Sequence, residues 1–179
     1  MGAVGETVSV VVVNYNGEAF LEECIRSLLD QTRPPDQVVV VDNASNDQSL
    51  SLLQTSFPIL PVIALPENLG YAAAFNRGIE ETTGDLIGVL NNDLILDNRW
   101  LESLLEKNFP PWDFWASLVV FASDPSRVDS AGDGMAVVGS GFKIGHGSFA
   151  NDYTRVREVF GPCGAAGLYR RSLLEAVQG

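Results

Sequence analysis

The apolar positions change period repeatedly along the first hundred residues. Val8–Val13 is a β-branched run interrupted only by Ser9, too short for a helix and apolar on both faces, which predicts a buried parallel strand. After a break at Asn14–Gly17, Phe20, Leu21, Cys24, Ile25, Leu28 and Leu29 recur at helical spacing, and Pro34 and Pro35 close the segment. Val38–Val41 predicts a second strand. Ser45 or Asn46 is placed to cap a following helix that carries Leu50, Leu52 and Leu53. Pro61–Leu65 reads as a third strand, Gly70 to about Thr82 as a helix closed by Gly84, Leu86–Leu90 as a fourth strand, and Trp100–Lys107 as the next helix.

Alternation of strand and helix predicts an α/β architecture: a mostly parallel sheet with helices on both faces. Beyond Pro110 the rhythm is lost. Phe114–Phe121 predicts one more strand, Ser123–Asn151 loops with short strands, Arg155–Phe160 an extended segment and Leu168–Val177 a helix. No linker composition separates these parts, so residues 1–179 read as a single domain with a loop-rich C-terminal part.

Composition narrows the function. With 46% apolar and 19% charged residues, the chain can bury a core and is not disordered throughout. Eleven basic against 23 acidic residues give a net charge of −12, which argues against nucleic acid as a partner. An acidic chain that binds a pyrophosphate must import positive charge, from a divalent cation or helix N-termini. Cys24 and Cys163 are too few and too distant for a disulfide framework or zinc site, and Cys24 falls on an apolar helix face, where it reads as core. No run approaches the roughly 18 apolar residues that span a bilayer, and the N-terminus lacks signal-peptide features. A reducing cytoplasmic setting is the expectation.

In an open α/β sheet, ligands bind outside the carboxyl ends of the strands. Each of the four strands here ends in polar residues: Asn14, Tyr15 and Asn16; Asp42 and Asn43; Glu67 and Asn68; Asn91, Asn92 and Asp93. Any one group reads equally as turn chemistry. All four at one edge would line one crevice. The Asp42 carboxylate is suited to accept hydrogen bonds from a base or ribose, or else to cap the next helix. The Asn91–Asp93 triplet suits Mg²⁺ or Mn²⁺, which binds through one or two carboxylates plus substrate phosphates; with Asp93 its only charge, affinity without a nucleotide should be weak.

These residues carry a family resemblance. Val8–Asn16, Val41-Asp42-Asn43-Ala44-Ser45, Asn68-Leu69-Gly70, Asn76-Arg77-Gly78-Ile79 and Asn91-Asn92-Asp93 resemble, in order and spacing, the family 2 inverting glycosyltransferases of GT-A (Rossmann-like) fold, and among them the rhamnosyltransferase-type members. Ser130–Gly134 and Gly161–Ala166 resemble later motifs of the same family. The resemblance implies a nucleotide-binding half over about 7–110 and an incomplete acceptor half over about 111–179. It implies that Asp42 contacts the base, with Asn14 and Asn16 near the nucleoside. Asp93 would be the metal-binding aspartate of a DXD-type motif, with Asn91 and Asn92 in the other two places; Asn91 replaces the usual first aspartate. Asn68 and Asn76 would shape the donor pocket.

The implied partners are a dTDP-, UDP- or GDP-linked sugar and a saccharide or lipid-linked acceptor, with peripheral membrane association of the parent protein. The implied reaction is inverting transfer to a hydroxyl, assisted by Mg²⁺ or Mn²⁺, with a carboxylate as general base. Family members carry that base in an acidic pair beyond the position of Gly179, so the chain reads as truncated and poorly active. His146, between two glycines, is either a crevice group or an exposed loop residue. Trp100, Trp112, Phe114 and Trp115 read as core first and as an acceptor platform second. Rival readings are a non-catalytic nucleotide-sugar-binding module and a nucleotidyltransferase, whose glycine-rich basic loop is missing after Val13. A dinucleotide-dependent dehydrogenase is weaker still, because no GxGxxG follows the first strand.

Overall fold

A computed structural model describes residues 6–105 and 112–177. In chain order it contains β1 (Val8–Asn14), α1 (Leu21–Leu29), β2 (Gln37–Asp42), α2 (Ser49–Ser56), β3 (Val62–Ala64), α3 (Tyr71–Glu80), β4 (Leu86–Asn91) and α4 (Trp100–Leu105). There follow β5 (Phe114–Ala116), β6 (Val119–Phe121), β7 (Asp124–Ser130), β8 (Asp133–Met135), β9 (Gly141–Lys143), a short 3-10 turn (Ala150–Tyr153), β10 (Ala166–Arg170) and α5 (Arg171–Ala176).

The valine runs build the centre of a six-stranded sheet, ordered β3-β2-β1-β4-β10-β5. β1 lies between β2 and β4 and parallel to both, with Val11 opposite Val39 on one side and Val89 on the other. Every residue of β1 is buried, as a strand covered on both faces must be. Period-two alternation then sorts the side chains. Val8, Val10, Val12, Val38 and Val40 pack against α1, Leu53 of α2, and Trp100 and Leu101 of α4. Val11, Val13, Val39, Val41 and Ile87 face Ala74, Phe75 and Ile79 of α3, with Leu174 of α5. On α1 the buried set is Leu21, Cys24, Ile25 and Leu28, an i, i+3, i+4, i+7 stripe, and each buried Leu or Ile contributes about 1.5–3 kcal/mol; Phe20 and Leu29, expected on the same face, are exposed at its margins. α3 comes close to the sheet because position 78 has no side chain: a Cβ there would fall 2.3 Å from Val11 Cγ1.

The second half departs from the expected pattern at three places. Phe114–Phe121 is two strands in different sheets: β5 joins the main sheet beside β10, and β6 pairs with β7. The break falls at Ser117, whose hydroxyl accepts the Trp100 indole N–H at 2.9 Å. The predicted Leu168–Val177 helix begins at Arg171, because Ala166–Arg170 pairs antiparallel with β4 and β5 at once. Arg155–Phe160 forms no strand. β8 and β9 make a separate two-stranded ribbon. Of the predicted Trp100–Lys107 helix, Glu106 and Lys107 lie outside the described residues.

Candidate functional site

The polar residues that end the strands do meet at one edge, and they are bonded to one another across it. The wholly buried Asn14 side chain at the end of β1 is the hub. Its Nδ2 donates to Asp42 Oδ1 at 2.7 Å and to the Ser45 hydroxyl at 3.1 Å, and its Oδ1 accepts Asn92 Nδ2 at 2.7 Å. Asp42, also fully buried, accepts the Ser45 backbone N–H on Oδ2 at 3.0 Å. Next to it, Asn43 donates to Asn68 Oδ1 at 3.0 Å and accepts the Leu69 N–H at 2.9 Å. These side-chain hydrogen bonds, joined through the Asn43 N–H donating to Asn14 O at 2.8 Å, link the edge from the residues after β3 to the residues after β4.

This lateral chain shapes the local backbone. Asn16 and Ala44 both adopt positive φ, 52° and 63°; asparagine tolerates that region and alanine is strained in it. Ser45 and Asn46, expected as helix caps, instead join the network. The Ser45 hydroxyl accepts the Asn16 N–H at 2.9 Å, and the Asn46 N–H donates to Asn16 Oδ1 at 2.8 Å. Asp47 Oδ1 takes over at the start of α2, accepting the Ser49 N–H at 3.0 Å. Gly17 closes the assembly from above; a Cβ there would lie 2.0 Å from Asn92 Nδ2.

Within the Asn91–Asp93 triplet, the three residues differ in role. The Asn91 N–H donates to Ala165 O at 2.9 Å and its carbonyl faces the Cys24 thiol, Sγ to O 3.4 Å. Burial pushes that thiol up to about 12. Asn92 is spent on Asn14. Asp93 is exposed, and its carboxylate accepts no hydrogen bond from any described residue. Neither Asn14 nor Asp42 presents an open polar atom in this arrangement, whereas Asn16, Asn68 and Asp93 are exposed. Asn76 is half-buried in α3, apart from the chain of bonds.

Beyond β4 the edge opens into a cavity of about 530 Å³, lined by Tyr71, Asn91, Asp133, Phe142, Lys143 and Gly164 among others. The Tyr71 hydroxyl donates to Gly164 O at 2.6 Å, and burial moves it well above its usual range. Lys143 Nζ sits 2.9 and 2.8 Å from the two carboxylate oxygens of Asp129. His146 is exposed: Nδ1 lies 2.8 Å from the Asp129 carbonyl, and its ring meets Phe121 edge-on at 5.4 Å. Trp112, Phe114 and Trp115 line a different cavity, about 610 Å³, along β5 and residues 153–159; Trp100 is core. That cavity is the larger, but it has none of the residues that end β1, β2 or β4. Nothing local in the sequence marks Tyr71, Phe142 or Lys143, which the cavity beyond β4 brings together.

Among the described residues, no cluster of three or more His, Cys, Asp or Glu is able to hold a metal ion. No helix among them is long and apolar enough to cross a membrane.

The mostly parallel sheet with its polar carboxyl edge defines an α/β fold that solved structures share. A mannosyltransferase, PcManGT of Pyrobaculum calidifontis, in complex with GDP-Man and Mn²⁺, superposes with a TM-score of 0.64 at 21% identity, over 99% of this chain and 48% of that one. S. aureus TarS in complex with UDP-GlcNAc gives 0.51 at 28% identity, over 55% and 30%. The putative teichuronic acid biosynthesis glycosyltransferase TuaG of Bacillus subtilis is 33% identical over 103 residues, 56% of this chain and 39% of TuaG. Residues 9–178 match glycosyl transferase family 2, and the chain belongs to that family. It spans less than half the length of each of these three relatives.

Proposed function

We propose that this chain holds the donor-binding part of an inverting glycosyltransferase, which moves a sugar from a nucleoside diphosphate to a hydroxyl. The observation that carries the reading is the Asp42–Asn14–Asn92 chain of hydrogen bonds, which fixes the end of β4 and leaves the adjacent Asp93 carboxylate open at the sheet's carboxyl edge. Asn14 acts as a strut rather than as a ligand. Asn16 and Asn68, exposed on either side, stand where a nucleoside would lie, and Asp42 reaches a base only by exchanging one of its present partners. The first turns of α2 and α3 carry no acidic residue, whereas α1 begins with Glu22 and Glu23, so the N-termini of α2 and α3 suit the diphosphate end better than that of α1.

One open carboxylate with an asparagine two residues before it is a poor metal site alone and a fitting one with phosphate oxygens added. Asp93, with Asn91, would hold Mg²⁺ or Mn²⁺ together with the nucleotide. The chemistry such an ion supplies is charge neutralisation at the departing diphosphate. Asp93 orients that end of the donor, and the acceptor hydroxyl attacks from the opposite side of the anomeric carbon. Rhamnose on dTDP is the donor suggested by the subfamily resemblance; the likeness to TarS brings in a UDP-linked one.

Calorimetric titration with UDP, dTDP and GDP, each with and without Mn²⁺, tests this. One nucleotide should bind in a metal-dependent way, and Asp93→Ala should weaken it at least about tenfold, 1.4 kcal/mol, with melting unchanged. Equal binding by the variant, or binding of no nucleotide, refutes the assignment.

A further inference from the structure

The two ends of the main sheet are not alike. β3, at one end, is bracketed by Pro61 and Pro66, and proline blunts an open strand edge because it has no N–H to offer. β5, at the other end, has no proline or lysine within two residues. Its outer backbone groups follow from its inner ones. The Arg170 N–H donates to Asp113 O at 2.8 Å, and the Ser117 N–H donates to Ala166 O at 3.4 Å. Bonded residues alternate along an antiparallel pair, so Asp113, Trp115 and Ser117 turn their backbone groups toward β10. Phe114 and Ala116 turn theirs away, and among the described residues no partner meets those two N–H and two C=O groups.

The groove of about 610 Å³ along β5 and residues 153–159 adjoins this edge, and the exposed Trp112, Leu118 and Val156 lie on it. Its charged residues are Asp113 and Glu158 against Arg155 and Arg157, so the groove is neutral in a chain of net charge −12. Two copies of so acidic a chain repel one another over most of their surface, and not here. An isologous contact must complement itself, and two acids with two bases on one patch do so across a two-fold axis.

We propose that this face joins two copies of the chain, β5 pairing antiparallel with β5 of the second copy about a two-fold axis at Trp115. Phe114 of each copy then exchanges both backbone hydrogen bonds with Ala116 of the other, which uses every free group of the two edges and continues the sheet across both copies. The balanced charge selects a second copy over an unrelated segment, and the apolar groove residues are covered with the edge. None of the residues assigned to the donor takes part.

Sedimentation velocity, with amide exchange followed by NMR, tests it. The dimer should build up as the chain is raised from about 1 to 200 μM. Over that range the Phe114 and Ala116 amides should gain protection, whereas the Trp115 amide, already bonded to β10, should not change. Ala116→Pro removes an N–H that the fold itself does not use and should weaken association at least about tenfold. Val156→Lys should do the same by adding like charges to the contact, at a position 69% exposed, and it carries the test if Ala116→Pro lowers the melting temperature. A chain monomeric at the highest concentration overturns the proposal. So does a dimer that Val156→Lys and a stably folded Ala116→Pro leave as tight as wild type, which puts the contact on another face. Protection of Phe114 and Ala116 that is equal at every concentration also overturns it, because the chain then covers its own edge.

Discussion

Gly17→Ala tests whether the hydrogen-bonded edge holds the site together. The new methyl would sit 2.0 Å from Asn92 Nδ2 and 2.3 Å from Asn14 Oδ1, the two atoms that form a 2.7 Å hydrogen bond. Both distances are far inside van der Waals contact, so that bond must open. Asn14 is wholly buried, and water does not readily replace the lost donor. An unsatisfied buried acceptor costs about 1–3 kcal/mol, and the reduced freedom of the unfolded chain returns about 0.4–1 kcal/mol. The mid-values leave a net loss of about 1.3 kcal/mol, to which the clash itself adds, a fall of about 3–5 °C or more in melting temperature for a domain of this size. Urea unfolding followed by tryptophan fluorescence measures it, with Gly161→Ala as control, since a Cβ at Gly161 meets nothing within 4 Å. Nucleotide affinity should fall as well, because Asn92 precedes Asp93. A Gly17→Ala chain within about 0.5 kcal/mol of wild type, with nucleotide binding intact, would refute the role given to Asn14.

Two further outcomes follow from the same structure. Burial raises the Cys24 thiol from 9.0 to about 12 and the Tyr169 hydroxyl from 10.0 to about 12, so the native state keeps protons that the unfolded chain releases. Stability should therefore be full below about pH 9 and decline toward pH 12; Cys24→Ala should flatten the start of that decline, and a urea midpoint unchanged between about pH 8 and 10.5 would contradict it. Ala44→Gly should raise stability by about 0.5 kcal/mol, because relief of the left-handed backbone, about 1–2 kcal/mol, exceeds the entropy cost of glycine. A lower melting temperature would count against it.

The sheet centre was legible because burial on both faces leaves a mark in the sequence: β1, β2 and β4 are nearly unbroken apolar runs. β10 was not. Ala166–Arg170 is short and mixed, and Leu168 fits a helical stripe as well as a strand. Only its pairing with β4 and β5 decides the matter, and those partners lie about 80 and 50 residues away in sequence. The site divides the same way. The convergence of Asn14, Asp42, Asn68 and Asn91–Asp93 follows from topology alone. That Asn14 is bonded on both sides while Asp93 is open depends on distances between side chains 28 and 78 residues apart.

The placement of β10 also bears on how the chain acquires its shape. β1 to β4 are joined by neighbouring helices and can assemble in the order in which they are made. β5 bonds only to β10 within the main sheet, so it must wait until residue 166 and beyond have left the ribosome before it can join. Until then the outer edge of β4, Leu86–Leu90, is an unpaired apolar strand ending at the residues assigned to the donor. Such an edge invites pairing with other chains, and late closure of long-range pairs is slow. The segment that completes the sheet beside Asn91 is therefore also the one that covers this exposed edge during synthesis.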